Sequence, residues 1–137
     1  FLSSYSTDGA PSRIEYLPDH DLLALSIGTR VDLIPASAED ESPDPWLLSV
    51  SGEASAAGLC SVGWGEILVT LDDPSDTASS DGHRLLRLDA SGNELTAAGE
   101  WGVEAGQFWR PVDCTTDPEG NVWVADALNH RIQVLGP

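Results

Sequence analysis

The sequence predicts an all-β fold: a partial propeller of about three four-stranded blades, open unless something completes it. Three observations predict it. A strand–turn–strand plan occurs three times along the chain, and 45 residues separate Leu22 from Ile67 while 55 separate Ile67 from Val122, the positions that open the second strand of each copy. That spacing suits a propeller blade of roughly 40–50 residues. The stretches 51–58 (SGEASAAG) and 91–99 (SGNELTAAG) are alike and close the first and second copies at the same place. The last third, residues 99–137, carries the plainest hairpin chemistry. Blades are expected at about 9–57, 58–98 and 99–137 of a single domain, 1–137.

Taken in order, residues 1–12 are a polar lead-in or an outer strand. In the first copy, 13–17 and 22–27 flank the turn Pro18-Asp19-His20-Asp21, and 30–34 runs extended after Gly28. Residues 35–45 form a Pro-punctuated acidic loop with Glu39, Asp40 and Glu41, followed by a strand at 46–50. The second copy places strands at 59–62 and 67–71 around Gly63-Trp64-Gly65-Glu66, then a loop of Asp, Ser and Pro over 72–82, a third strand at 83–88 and a fourth at 94–97. In the third copy, 112–116 and 121–125 flank Asp117-Pro118-Glu119-Gly120. Proline there fixes φ near about −65°, and glycine accepts the positive φ of a tight hairpin. Residues 126–130 reverse the chain again, with Asp able to bond backbone N–H groups and Asn tolerant of the left-handed region. Strand 131–135 ends the unit with no fourth strand before Gly136-Pro137, which leaves its outer edge as a pairing site.

Within this last copy, Gly106-Gln107-Phe108 with Pro111, Asp117-Pro118-Glu119-Gly120-Asn121-Val122-Trp123-Val124-Ala125-Asp126 and Asn129-His130-Arg131-Ile132-Gln133-Val134 resemble an NHL repeat. Asn129-His130-Arg131 departs from the name-pattern Asn-His-Leu at a variable position. The resemblance covers about one blade and implies a β-propeller that serves as a structural or protein-interaction platform. Less often, such propellers are enzymes, here a segment of a metal-dependent lyase or lactone hydrolase. It also implies that Asp126, Asn129 and Arg131 are turn and packing residues.

Six basic residues, all Arg, stand against 23 acidic ones, for a net charge of −17. Nucleic acid is excluded as a partner class, because neutralising phosphates takes clustered Lys and Arg, and an anionic membrane surface is excluded for the same reason. The charge fits either adaptation to high salt, where screening collapses the self-repulsion, or an acidic extracellular protein neutralised by divalent cations. No stretch reaches the length needed to span a bilayer. The chain contains no Met, so Phe1 is read as exposed by cleavage or as the start of an excerpt. Loss of a leader and the presence of two cysteines both suit an extracellular or cell-surface location.

The partner expected is protein: a second copy closing a ring, a run of copies forming a polymer, or the remainder of a longer chain, because three blades leave two ring edges unpaired. The expected interaction residues are Trp101 and Trp109, which flank the entry to the third blade, with Arg131 and Val134 on the terminal strand. The other tryptophans, Trp46, Trp64 and Trp123, read as core or blade-face packing. The lead-in 1–12 could add a strand to another subunit. Segments 32–44 and 72–81 are expected to project from one face and make it acidic. Asp72, Asp73, Asp76 and Asp81 offer hard oxygens suited to calcium, although their spacing is not that of an EF-hand; a solvated acidic loop is the alternative. No other cofactor is implied. His20, His83 and His130 do not share one repeat position, as axial metal ligands would. Cys60 and Cys114, placed at equivalent points of neighbouring inner strands, are either buried thiols or a disulfide.

Overall fold

The computed structural model describes residues 7, 9–36, 54–73, 75 and 82–137, and the backbone alone of 46–49. Three antiparallel sheets account for the described strands. The first has the order β1 (Arg13–Leu17), β2 (Leu22–Ile27), β3 (Arg30–Pro35), β4 (Trp46–Ser49). The second runs β5 (Ser55–Gly63), β6 (Glu66–Asp72), β7 (Arg84–Leu88), β8 (Glu94–Ala98). The third holds β9 (Pro111–Thr116), β10 (Val122–Asp126) and β11 (Arg131–Leu135), with a single 3-10 turn, Ala127–Asn129, before its last strand. This is an open partial propeller. Among the described residues its third blade has three strands.

Each hairpin follows from its turn residues. Gly63 pairs with Glu66, so Trp64 and Gly65 alone make the connection, with φ of 57° and 74°. Both lie in the left-handed region that a two-residue type I′ turn needs to match strand twist. In β9–β10, the carboxylate of Asp117 accepts N–H bonds from Glu119 (3.1 Å) and Asn121 (2.9 Å) and organises the turn. Asp89 does the same for β7–β8 through Ser91 (2.9 Å) and Asn93 (2.8 Å).

The sheets stack face to face. Between the first and second lie Leu17, Leu22, Ala24, Val31 and Leu33 against Leu59, Ile67, Val69, Leu71, Leu86 and Leu88, all buried. Between the second and third lie Cys60, Leu68 and Leu85 against Val124 and Phe108. The middle sheet is therefore apolar on both faces, which is why its strands read as continuous hydrophobic runs. The stacking corrects one sequence alignment. Leu22 faces the sheet that follows it, whereas Ile67 and Val122 face the sheet that precedes them. Strand side chains alternate with a period of two, so a one-residue offset moves a side chain to the other face.

Inner strands β1, β5 and β9 run side by side. Ser61 donates its N–H to Glu15 (3.1 Å), and Thr116 Oγ1 donates to the Ser61 carbonyl (2.9 Å). The β1–β2, β5–β6 and β9–β10 turns consequently share one end of the stack, the hairpin end. The opposite, crossover end carries the connections between sheets. Segment 36–45 leaves β3 at the hairpin end, where Ala36 donates to the Asp21 carbonyl (2.8 Å), and segment 73–83 leaves β6 at the crossover end. The two acidic insertions thus attach at opposite ends, contrary to the expectation of one shared face: the first joins the third and fourth strands of its sheet, the second the second and third. Residues 9–12 lie on their own sheet, with Ser12 N–H bonded to the Ser26 carbonyl (2.9 Å).

Candidate interaction surface

The third sheet and the segment entering it, residues 99–110, are tied together by one carboxylate. Asp126 ends β10 fully buried. Its Oδ1 accepts the N–H of Trp109 (2.7 Å), and its Oδ2 accepts Asn129 Nδ2 (2.9 Å), Arg131 Nε (2.9 Å) and Gln133 Nε2 (3.0 Å). These donors reach onward into the entry segment. The Arg131 guanidinium donates to the carbonyls of Val103 (2.6 Å), Glu104 (2.8 Å) and Gln107 (2.8 Å), Asn129 to Gly102 (2.8 Å), and Gln133 to Gln107 (2.7 Å). A buried charge is tolerable only when it is this fully hydrogen-bonded. Backbone carbonyls of an irregular segment receive side-chain donors, and the segment is held in one shape.

That shape sets Trp101 and Trp109 edge to face, with ring centroids 6.0 Å apart and planes at 64°. Trp101 is exposed and Trp109 half-buried, so of the pair Trp101 alone presents itself openly. Arg131, expected at the surface of a partner, is spent inside the clamp. Val134 does face outward. It pairs across the sheet with Trp123, and Ala125 pairs with Ile132. Alternation puts Val122, Val124 and Leu135 against the second sheet and leaves Ile132 (60% exposed), Val134 (48%) and Trp123 (41%) on the far side. Trp123, read from the sequence as core or blade-face packing, is exposed, and Ile132 escaped the sequence reading, although the inward Val124 carried the signal. At the other end of the stack, Ile14 (63% exposed) and Tyr16 mark the outer face of the first sheet.

The family model of the NHL repeat matches residues 108–135. The third sheet is thus similar to an NHL repeat. Asp126, Asn129, Arg131 and Gln133, the members of the buried clamp, all lie within the matched residues. The second sheet has Asp72 and His83-Arg84 at the corresponding places of its strands, but Asp72 takes only Arg110 Nε (3.1 Å) on one oxygen, and its Oδ1 is buried without a hydrogen-bond partner. The second sheet lacks the clamp that the third sheet has. No curated protein matches the chain.

Of the residues considered for calcium, Asp72 is buried and bound to Arg110, Asp73 closes its own turn with the Ser75 N–H (2.8 Å), and Asp76 and Asp81 lie outside the described residues. No group of three or more metal-capable side chains occurs among the described residues. The histidines stay apart. His20 lies against Gly65, the buried His83 accepts the Arg110 N–H on Nδ1 (3.1 Å), and His130 is exposed in the turn before β11. Cys60 and Cys114 are joined by a disulfide, Cα–Cα 5.6 Å. They are not equivalent positions: Cys60 faces forward from the second sheet and Cys114 backward from the third, and only opposed directions bring the sulfurs together. Among the described residues, no helix is long and apolar enough to cross a membrane.

Proposed function

We propose that the chain is a protein-interaction module that associates with further copies of itself through the outer face of its third sheet, working outside the cell or on its surface. The observation that carries this is the third sheet's far side. Ile132, Val134 and Trp123 occupy the positions that, in the second sheet, pack onto the next sheet in line, yet among the described residues none covers them. An exposed apolar patch framed by polar residues is the usual mark of an interaction site. On the outer side of the first sheet Leu25, Ile27 and Ile34 are already buried and Ile14 and Tyr16 of β1 stand out, so a further copy would meet it head to tail at that strand, closing a ring or running on as a polymer. Since residues 9–12 pack on their own β2, the sheet face and not an exchanged lead-in strand is the contact. The inter-sheet disulfide supports an oxidising location.

Charge sets the condition. At −17 per copy, repulsion opposes association at low ionic strength, and salt near 1 M cuts the screening length to about 3 Å. Sedimentation velocity from low to about 1 M salt should show mass increasing with salt for the native chain and a monomer throughout for the Ile132→Glu/Val134→Glu variant. A folded monomer of native sequence at every salt concentration would end the proposal.

A further inference from the structure

Trp64 is the most exposed large hydrophobic residue of the described chain, at 88%. It sits at the tip of the β5–β6 hairpin with φ 57°, a left-handed position where Asn, Asp or Gly is the inexpensive choice. An indole there gains no packing from the fold and bears the backbone cost as well. Beside it opens a cleft of about 440 Å³ lined by Asp19, Gly63 and Trp64. The cleft is built from two hairpins locked together: Asp19 Oδ2 accepts the Gly65 N–H (3.1 Å), and the imidazole of His20 lies against Gly65. A carboxylate is thereby held next to a free aromatic face.

The distribution of arginine gives the tip its sign. Arg13, Arg30, Arg84, Arg110 and Arg131 all begin or precede strands at the crossover end. The sixth, Arg87, is tied to Glu66. Around the hairpin end stand Asp19, Asp21, Asp89, Asp117 and Glu119, and among the described residues no arginine is paired with them. The side chains of Asn93 and Asn121 donate to Asp89 and Asp117 and hold these two carboxyls below the ordinary value.

We propose that the Trp64 tip is a docking point for a basic polypeptide segment, whose arginine or lysine side chain lies on the indole face with its cationic head toward Asp19. Cation–π contact and a carboxylate in one open cleft are the recognition elements for that chemistry. The surface is separate from the sheet faces that would join copies, so the two ideas stand or fall apart.

Hexaarginine titrated calorimetrically into the whole chain at about 0.15 M salt tests it. Trp64→Asn suits the turn and removes the indole, so folding is kept. It should weaken binding about fivefold or more, as should Asp19→Asn, while Trp64→Phe stays within about twofold of native. Glu119→Gln removes the same charge elsewhere on this end and should cost less than about twofold. No binding by the native chain, native-like binding by Trp64→Asn, or equal losses from Glu119→Gln and Asp19→Asn would each overturn the proposal.

Discussion

Replacing Asp126 with Ala removes the acceptor for four donors at once: the Trp109 N–H, Asn129, Arg131 and Gln133. A hydrogen bond to a charged group contributes about 1.5–3 kcal/mol net, and breaking a buried ion pair by deleting one partner costs about 3–5 kcal/mol. The Arg131 side chain is 30% exposed and keeps three carbonyl partners, so water recovers part of that loss. A cost of about 3 kcal/mol results, which for a domain of this size lowers Tm by roughly 10–15 °C. Asp126→Asn is nearly as damaging, about 2 kcal/mol, for a geometric reason. Donors approach both oxygens, so either placement of the amide turns an NH₂ group toward an N–H. Asp72→Asn is the internal control. Asp72 ends the matching strand of the second sheet but has a single donor, Arg110, and should cost about 1 kcal/mol. Urea unfolding followed by tryptophan emission, with the disulfide intact, gives all three values. Should Asp126→Ala lie within about 1 kcal/mol of native, or match Asp72→Asn, the clamp does not hold the third sheet as argued.

Three other outcomes follow from the same structure. Reduction of Cys60–Cys114, whose partners are 54 residues apart in sequence, should lower stability by about 4 kcal/mol on the chain-entropy account, measured by urea unfolding with and without reductant; identical curves would refute it. Gly65→Ala forces a Cβ onto a residue with φ 74° and into the ring of His20, so it should cost about 2 kcal/mol or more, falling to about 1 kcal/mol in a His20→Ala background; an equal cost in both backgrounds would show that His20 is not the obstacle. Asp117 has a lowered pKa, first through the side chain of Asn121 and then through that of Trp123. A lowered folded value means that its contribution is complete above the ordinary carboxyl value of 3.8 and is lost as pH falls through the folded value below it. Carbon-detected titration should show Asn121→Ala moving the Asp117 midpoint upward toward 3.8, and an unmoved midpoint would discount the hydrogen bond.

Local chemistry was legible in the sequence. Turn residues such as Asp117-Pro118-Glu119-Gly120 and Gly63-Trp64-Gly65 located the hairpins, because Pro and Gly act through their own backbone torsions and need no distant partner. The NHL resemblance was legible for a related reason: Asp126, Asn129 and Arg131 lie within a few residues of one another, so one short window contains most of the clamp. The facing of side chains was not legible. Whether Leu22 looks forward or Ile67 backward depends on which sheet covers which face, and a single residue of offset reverses it. The disulfide had the same character, since Cys60 and Cys114 meet only because stacked sheets turn opposite faces to each other. Stacking likewise decided that Arg131 is spent on carbonyls of its own entry segment, that Trp64 stands in solvent and that Ile132, Val134 and Trp123 share an uncovered face. A sequence window records periodicity; burial is the property of a face, and a face acquires its neighbour only when the sheets assemble.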